Sequence, residues 1–166
     1  MNDNFSTNFI NSIIKNIDDT NYISKWKRAD NPKLEYQAWE LLVPWCKELT
    51  NPYERIPLAT IGAAFARRKS NKDGKLNFGK ALYYCYPEKD SGPGTSRLRR
   101  MLACSDTLEV CKMIKPCLKL IASKNIDLNY SSLLSDVKYF SDRTKLSWTQ
   151  QFYGGNNKDD SKSNIN

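Results

Sequence analysis

Apolar residues recur every three or four positions along most of this chain, a spacing that places them on one face of an α-helix. The pattern is clearest at Val110, Ile114, Cys117, Leu118 and Ile121. No segment keeps the alternation typical of a strand over more than a few residues, and no internal repeat is evident. The sequence therefore predicts an all-α protein, a two-lobed helical bundle of about seven or eight helices.

One break in this pattern divides the chain. The stretch from Pro87 to Ser96 contains two prolines, two glycines and three charged residues, which is typical of a flexible loop or a linker. The expected organisation is an N-terminal helix or extension at 1–20, a helical lobe at 21–86, the linker at 87–95, a second helical lobe at 96–153 and a disordered tail at 154–166.

Single residues predict where several helices begin and end. Pro57 suits the first position of a helix, and Ser105 or Asp106 can cap the long helix that follows. Residues 33–49 read as one amphipathic helix, which Pro44 should kink or end.

Two polar stretches read as connections between helices. Residues 18–32 predict a polar connector, in which Trp26 lies between two lysines and could stack on a base or contact a partner subunit. We expect the other three tryptophans in the core. Residues 67–75 have the composition of an exposed basic turn, with Asp73 and Gly74 at its tip.

The positive charge is concentrated in the middle of the chain. The net charge is +8, yet residues 60–124 alone contain 14 Lys or Arg against 5 Asp or Glu. The remaining residues contain 12 basic against 13 acidic side chains. A concentrated excess of this kind favours a surface that faces a polyanion.

Two groups of basic residues share helix faces. Lys112, Lys115 and Lys119 are spaced to lie on one face beside the apolar stripe, and Arg97 and Arg100 are three residues apart on the preceding segment. Such a face can follow phosphates without reading bases. Two other interpretations stay open, namely a solvated face that keeps the protein in solution and a set of arginines that anchors a protein interface.

The composition argues against several classes of function. The chain has no histidine and five cysteines without a C-x-x-C pair, so we expect no metal site, no disulfide framework and buried reduced thiols. There is no Gly-rich phosphate loop of the G-x-x-x-x-G-K-S/T type, and we predict no cofactor and no catalysis. Without a run of apolar residues long enough for a membrane span, or a secretory signal at the start, the expected location is the cytoplasm.

Four blocks of sequence resemble one family when taken in order. They are "LNFGKAL" at 76–82, "RLRRMLACSDTLEVCKMIKPCLKLI" at 97–121, "LNYSSLLSDVKYFSD" at 128–142 and "RTKLSWTQQFY" at 143–153. Together they are similar to the CasB family, the small subunit of the type I-E CRISPR Cascade surveillance complex. Arg28 and Ala29 match an Arg-Ala pair in an N-terminal motif of that family.

The resemblance implies a non-catalytic, all-helical subunit that binds nucleic acid without sequence preference. Two copies would pack head to tail beside the backbone and large subunits of a complex built on crRNA. Their basic surface would stabilise the R-loop by holding the displaced strand and supporting the target DNA strand. The residues implied to contact nucleic acid are Arg28, Arg68, Lys80, Arg97, Arg100, Lys112, Lys115, Lys119, Arg143 and Lys145.

Two other functions remain to be weighed against this one. The first is a helical structural adaptor whose basic face docks an acidic protein without binding nucleic acid. The second is a helix-turn-helix regulator, although no segment reads as a recognition helix. Of these functions, only binding through phosphates predicts an affinity for nucleic acid that falls steeply with salt and does not depend on base sequence.

Overall fold

The computed structural model describes residues 4–86 and 92–159, and the regular secondary structure of this part of the chain is helical. The prediction of an all-α fold is confirmed. Between the described helices, the backbone of Leu76 and that of Leu128 form an isolated parallel bridge. No helix within the described ranges is long and apolar enough to cross a membrane. The α-helices are α1 (Asn4–Lys15), α2 (Thr20–Lys27), α3 (Trp39–Leu42), α4 (Pro52–Arg68), α5 (Phe78–Cys85), α6 (Gly92–Leu102), α7 (Thr107–Ser123), α8 (Tyr130–Lys138) and α9 (Asp142–Asp159).

Helix α4 lies at the centre of the bundle, where it packs against α1, α2, α7 and α8. Every residue from Pro57 to Ala66 is buried, as expected for a helix that is surrounded on all sides. The predicted start at Pro57 is wrong. The Asn51 side chain accepts a hydrogen bond from the amide of Tyr53, and Pro52 occupies the first helical position. The helix therefore begins five residues earlier, with Pro57 in its interior.

The predicted polar connector at 18–32 is also wrong, because most of it forms α2. Asp19 caps this helix by accepting from the amide of Tyr22. Trp26 is fully buried and packs edge-to-face on Phe9, with ring centroids 5.3 Å apart. A Cβ atom at Gly62 of α4 would lie 2.6 Å from the Trp26 ring. Trp26 is thus a core residue that is available neither to a base nor to a partner.

Residues 33–49 do not form the single amphipathic helix that we predicted. A 3₁₀ turn at Glu35–Ala38 leads into the four-residue α3, and a second 3₁₀ turn follows at Val43–Trp45. Pro44 lies in that last turn, where its missing N–H helps to end the helical path. The tight turns bury Leu42 but leave Trp39 45% exposed, so the expectation that Trp39 is a core residue is wrong.

The turn at 67–75 is fastened to α8 and is not exposed at its tip. The Asp73 carboxylate accepts from the amides of Tyr130 and Ser131, at 2.8 and 3.1 Å, and from the Ser131 hydroxyl at 2.6 Å. Gly74 is buried, and a Cβ atom there would lie 2.2 Å from the carbonyl oxygen of Leu128. These contacts fix the backbone that follows α4.

The C-terminal half agrees more closely with its sequence pattern. Asp106 caps α7 by accepting from the amide of Glu109 at 2.9 Å. The predicted stripe on α7 is buried. Trp148 of α9 packs on Phe78 of α5, and its Nε1 donates to Asp136 of α8 at 2.8 Å. These contacts join α5, α8 and α9.

Two predicted boundaries in this half require correction. Residues 92–95, expected in the linker, form the start of α6, while the rest of that linker, 87–91, lies outside the described residues. Helix α9 continues to Asp159, so 154–159 of the expected tail are helical. The segments 1–3 and 160–166 lie outside the described residues.

The buried side chains form one cluster that draws on both predicted lobes. Ile61 and Phe65 come from α4, and Val110 and Ile114 come from α7. Helices α4 and α7 pack directly against each other. The division of the chain into two lobes stays a prediction.

Candidate nucleic-acid interface

The basic residues predicted from the sequence fall into two classes in the structure. Arg28, Arg100, Lys112, Lys119 and Arg143 are exposed, and Arg68, Lys80, Arg97, Lys115 and Lys145 are half-buried. Within residues 4–86 and 92–159, none of the five exposed cations forms an ion pair with a described acid. Exposed cations without an internal counter-charge are free to meet an external anion.

Arg68 has an internal role. Its guanidinium donates to the Asp127 carboxylate at 3.1 Å and to the carbonyl oxygen of Leu128 at 3.3 Å, and its side chain is only 10% exposed. The hydrogen bond from Arg68 is the main reason that the pKa of Asp127 lies below its usual range. Arg68 therefore joins the end of α4 to the connection between α7 and α8.

Asp30 connects three basic elements. Its carboxylate pairs with Arg67, the penultimate residue of α4, and its carbonyl oxygen accepts from Nζ of Lys115 on α7 at 2.8 Å. Arg67 also donates to the carbonyl oxygen of Lys27, at the end of α2, at 3.1 Å. Asp30 thus contacts two cations, one through its carboxylate and one through its carbonyl oxygen. Positive charge therefore exceeds negative charge where α2, α4 and α7 meet.

An open cleft of about 870 Å³ lies beside this junction. Lys27 and Lys69 contribute positive charge to its lining, together with Arg68, whose charge is paired with Asp127. Asp18 is the one acid among its lining residues in the described part of the chain. Lys69 and Asn125, which also line the cleft, both have left-handed backbone conformations, with φ of 53° and 55°. Tight chain reversals after α4 and α7 therefore form part of the cleft wall, and α2 forms another part.

The electrostatics of the cleft favour an anion. Partial burial lowers the pKa of Lys27, and the nearby charges of Lys69 and Arg67 lower it further. Repulsion of this kind means that the cations are not fully neutralised within the protein, and a bound phosphate would relieve it. Sequence reasoning missed Lys27 and Lys69, although the Arg67–Lys69 run at the end of a helix was a visible signal.

Five of the predicted residues lie on α5, α6 and α9, while Arg28 ends α2 and Lys112 and Lys119 lie on α7. Helix α6 packs on α7, close enough for the Arg97 charge to oppose the burial that raises the pKa of Cys117. Nζ of Lys145 lies 5.5 Å from the centre of the Phe140 ring, and Nζ of Lys80 lies 5.9 Å from the centre of the Tyr84 ring. Arg97 thus lies near Cys117 of α7, and Lys80 and Lys145 lie against aromatic rings.

The cysteines pack as small apolar side chains. All five are free thiols; four of them are buried and Cys46 is half-buried. Burial raises the pKa of Cys85 to about 11 and that of Cys111 to about 12, so both thiols stay protonated at neutral pH. Among the described residues, no three His, Cys, Asp or Glu side chains are grouped as metal ligands.

A comparison with protein-family models assigns the chain. The model of the CRISPR-associated protein Cse2 matches residues 24–153, which is well over half of the 166 residues. The chain belongs to the Cse2 family. Searches of curated proteins and of solved structures gave no significant match. Cse2, also called CasB, is the family that the sequence blocks resembled, and that interpretation is confirmed.

Membership of the Cse2 family indicates the complex to which this protein belongs. The Cse2 family belongs to the multi-subunit type I-E CRISPR Cascade, in which it is a structural subunit and not known as a catalytic one. The matched residues begin within α2 and end within α9, so they include the exposed cations of α6 and α7 and the part of the cleft lining that starts at Ser24.

Proposed function

We propose that this Cse2 protein binds single-stranded nucleic acid through its phosphates and thereby stabilises the R-loop that Cascade forms between crRNA and target DNA. Within that complex it acts in the cytoplasm as a non-catalytic subunit, in contact with a second copy of itself and with the backbone and large subunits. The observation that carries the proposal is the set of exposed cations without internal partners on α6, α7 and α9.

The arrangement suits phosphates better than base edges. Lys112 and Lys119 are exposed on α7, and lysine binds phosphate as a point charge without reading sequence. In RNA-guided complexes the pairing of guide and target supplies the sequence specificity, so a supporting subunit needs only a positive surface. The cleft at Lys27 and Lys69 adds a second place where a backbone phosphate can bind.

A structural adaptor is the second candidate function. It is favoured by Tyr139 and Leu146, which are 65% and 71% exposed near the start of α9. Exposed apolar side chains of this size suit a protein contact. An adaptor of this kind would hold neighbouring subunits without touching DNA, and the two functions predict different results in the assembled complex.

The test is protection of the displaced strand in assembled Cascade. Complexes are built with the wild-type subunit, with a Lys112→Gln/Lys119→Gln variant or without the subunit, and are loaded on a target duplex. A nuclease specific for single strands then probes the displaced strand. We expect protection with the wild type, reduced protection with the variant and the least protection without the subunit. Equal protection by wild type and variant in equally assembled complexes would support the adaptor.

A further inference from the structure

Two large aromatic side chains are exposed on the surface near the end of α2. Tyr36 is 58% exposed and Trp39 is 45% exposed, and their rings form an edge-to-face pair with centroids 6.4 Å apart. The tight turns from Glu35 to Trp45 direct Ala38 and Leu42 into the core and these two rings outward. A large aromatic pair left in water marks a surface for interaction.

The charges around this pair are positive. Glu35 is paired with Arg55 at 2.7 Å, and Glu40 is paired with Lys25. The two acids nearest in sequence to the rings are thus neutralised. Arg28 and Lys33 are both exposed, and neither pairs with an acid that the structure describes. The rings alone would fit any apolar partner, and the cations alone would fit any anion. A single-stranded nucleic acid matches both features, because it carries phosphates and flat bases.

Two hydrogen bonds connect the Tyr36 ring to the exposed cation Arg28. Arg28 donates to the Gln37 amide oxygen at 2.7 Å, and the Gln37 nitrogen lies 3.4 Å from the Tyr36 hydroxyl. Arg28 directly follows Lys27, which lines the cleft. The aromatic pair therefore lies beside Arg28, one of the exposed cations without an internal counter-charge.

We propose that Tyr36 and Trp39 form a platform on which unpaired bases stack, in the strand that the basic surface holds. The inference rests on the proposed function and adds base faces to the groups that this protein recognises. Every base has a flat face, so stacking adds affinity without adding sequence preference. It would also let the subunit distinguish a single strand, whose bases are free to stack on protein, from a duplex.

The test compares a mixed-sequence strand with an abasic strand of the same length and charge, each titrated against the full chain. Wild type is expected to bind the mixed strand at least about fivefold more tightly, as one stacked base requires. The Tyr36→Leu/Trp39→Leu variant keeps apolar area but has no aromatic face. We expect it to lose the preference and to keep the affinity for the abasic strand. Tyr139→Leu, at another exposed tyrosine, is the matched control and should retain the preference.

Tryptophan fluorescence supplies a second readout. Trp26 and Trp148 are fully buried and Trp45 is half-buried, so the mixed strand should quench mainly Trp39 while the abasic strand should not. Equal affinity of wild type for both strands, or a variant that still prefers the mixed strand, would overturn the proposal that bases stack on these rings. Either result would leave the proposed phosphate binding intact. Failure of wild type to bind either strand would overturn the proposed function itself.

Discussion

A Lys112→Gln/Lys119→Gln variant is expected to bind a single strand of about 30 nucleotides some 25-fold more weakly than wild type at about 0.1 M salt. Each lost phosphate contact removes roughly 0.7 from the slope of log affinity against log salt, which corresponds to about fivefold in affinity at that concentration. Both side chains are exposed on α7, and glutamine preserves helix propensity. Fluorescence anisotropy measures the affinity, and circular dichroism checks the fold.

The matched control removes the same charge from elsewhere on the surface. Lys15, at the end of α1, and Lys47, in the segment before α4, are exposed lysines outside the proposed interface. The Lys15→Gln/Lys47→Gln variant is expected to bind within about twofold of wild type, since it loses no phosphate contact. If both pairs weakened binding equally, net charge and not the α7 face would explain the affinity.

Trp26→Ala should lower the free energy of unfolding by about 3–5 kcal/mol, the range found when a buried tryptophan is truncated. Trp26 is fully buried between Phe9 and the bare backbone of Gly62. Its indole nitrogen has no hydrogen-bond partner among the described residues, so truncation leaves no acceptor unpaired and the cost is that of a cavity. Urea unfolding followed by circular dichroism gives the measurement.

Trp39→Ala is the comparison for this change. Trp39 is 45% exposed, and a substitution at the surface is expected to alter the stability by no more than about 0.5–1 kcal/mol. Similar losses for the two tryptophans would contradict the placement of Trp26 in the core and of Trp39 at the surface.

Sequence reasoning succeeded where a helix carries its own pattern. Helix α7 is 17 residues long, with a buried stripe and an Asp106 cap that are both local features. It failed at Trp26 because α2 has only eight residues, of which Ile23 and Trp26 are buried, and lysines flank the ring. Trp26 is buried because Gly62 of α4 packs closely against its ring. A contact between residues so far apart in the chain cannot be recognised from the local sequence.

The candidate site shows the same division. Exposed lysines on one face of α7 follow from helical spacing alone. The partners of Arg68 and Lys115 do not, because Asp127 is 59 residues from Arg68 and Asp30 is 85 residues from Lys115. The cleft at Lys27 depends on where α2 and α4 end relative to each other, and only the packed structure brings these ends together.

The most direct measurement of the central claim is the salt dependence of single-strand binding by the full wild-type chain. Two labelled strands of unrelated base sequence are titrated by anisotropy between about 0.05 and 0.3 M salt. Phosphate binding predicts the same log–log slope for both strands, near −3 for about four contacts, with affinities that agree within about threefold. Absence of binding at the lowest salt, or binding that salt does not weaken, would contradict the claim that this surface holds nucleic acid by its phosphates.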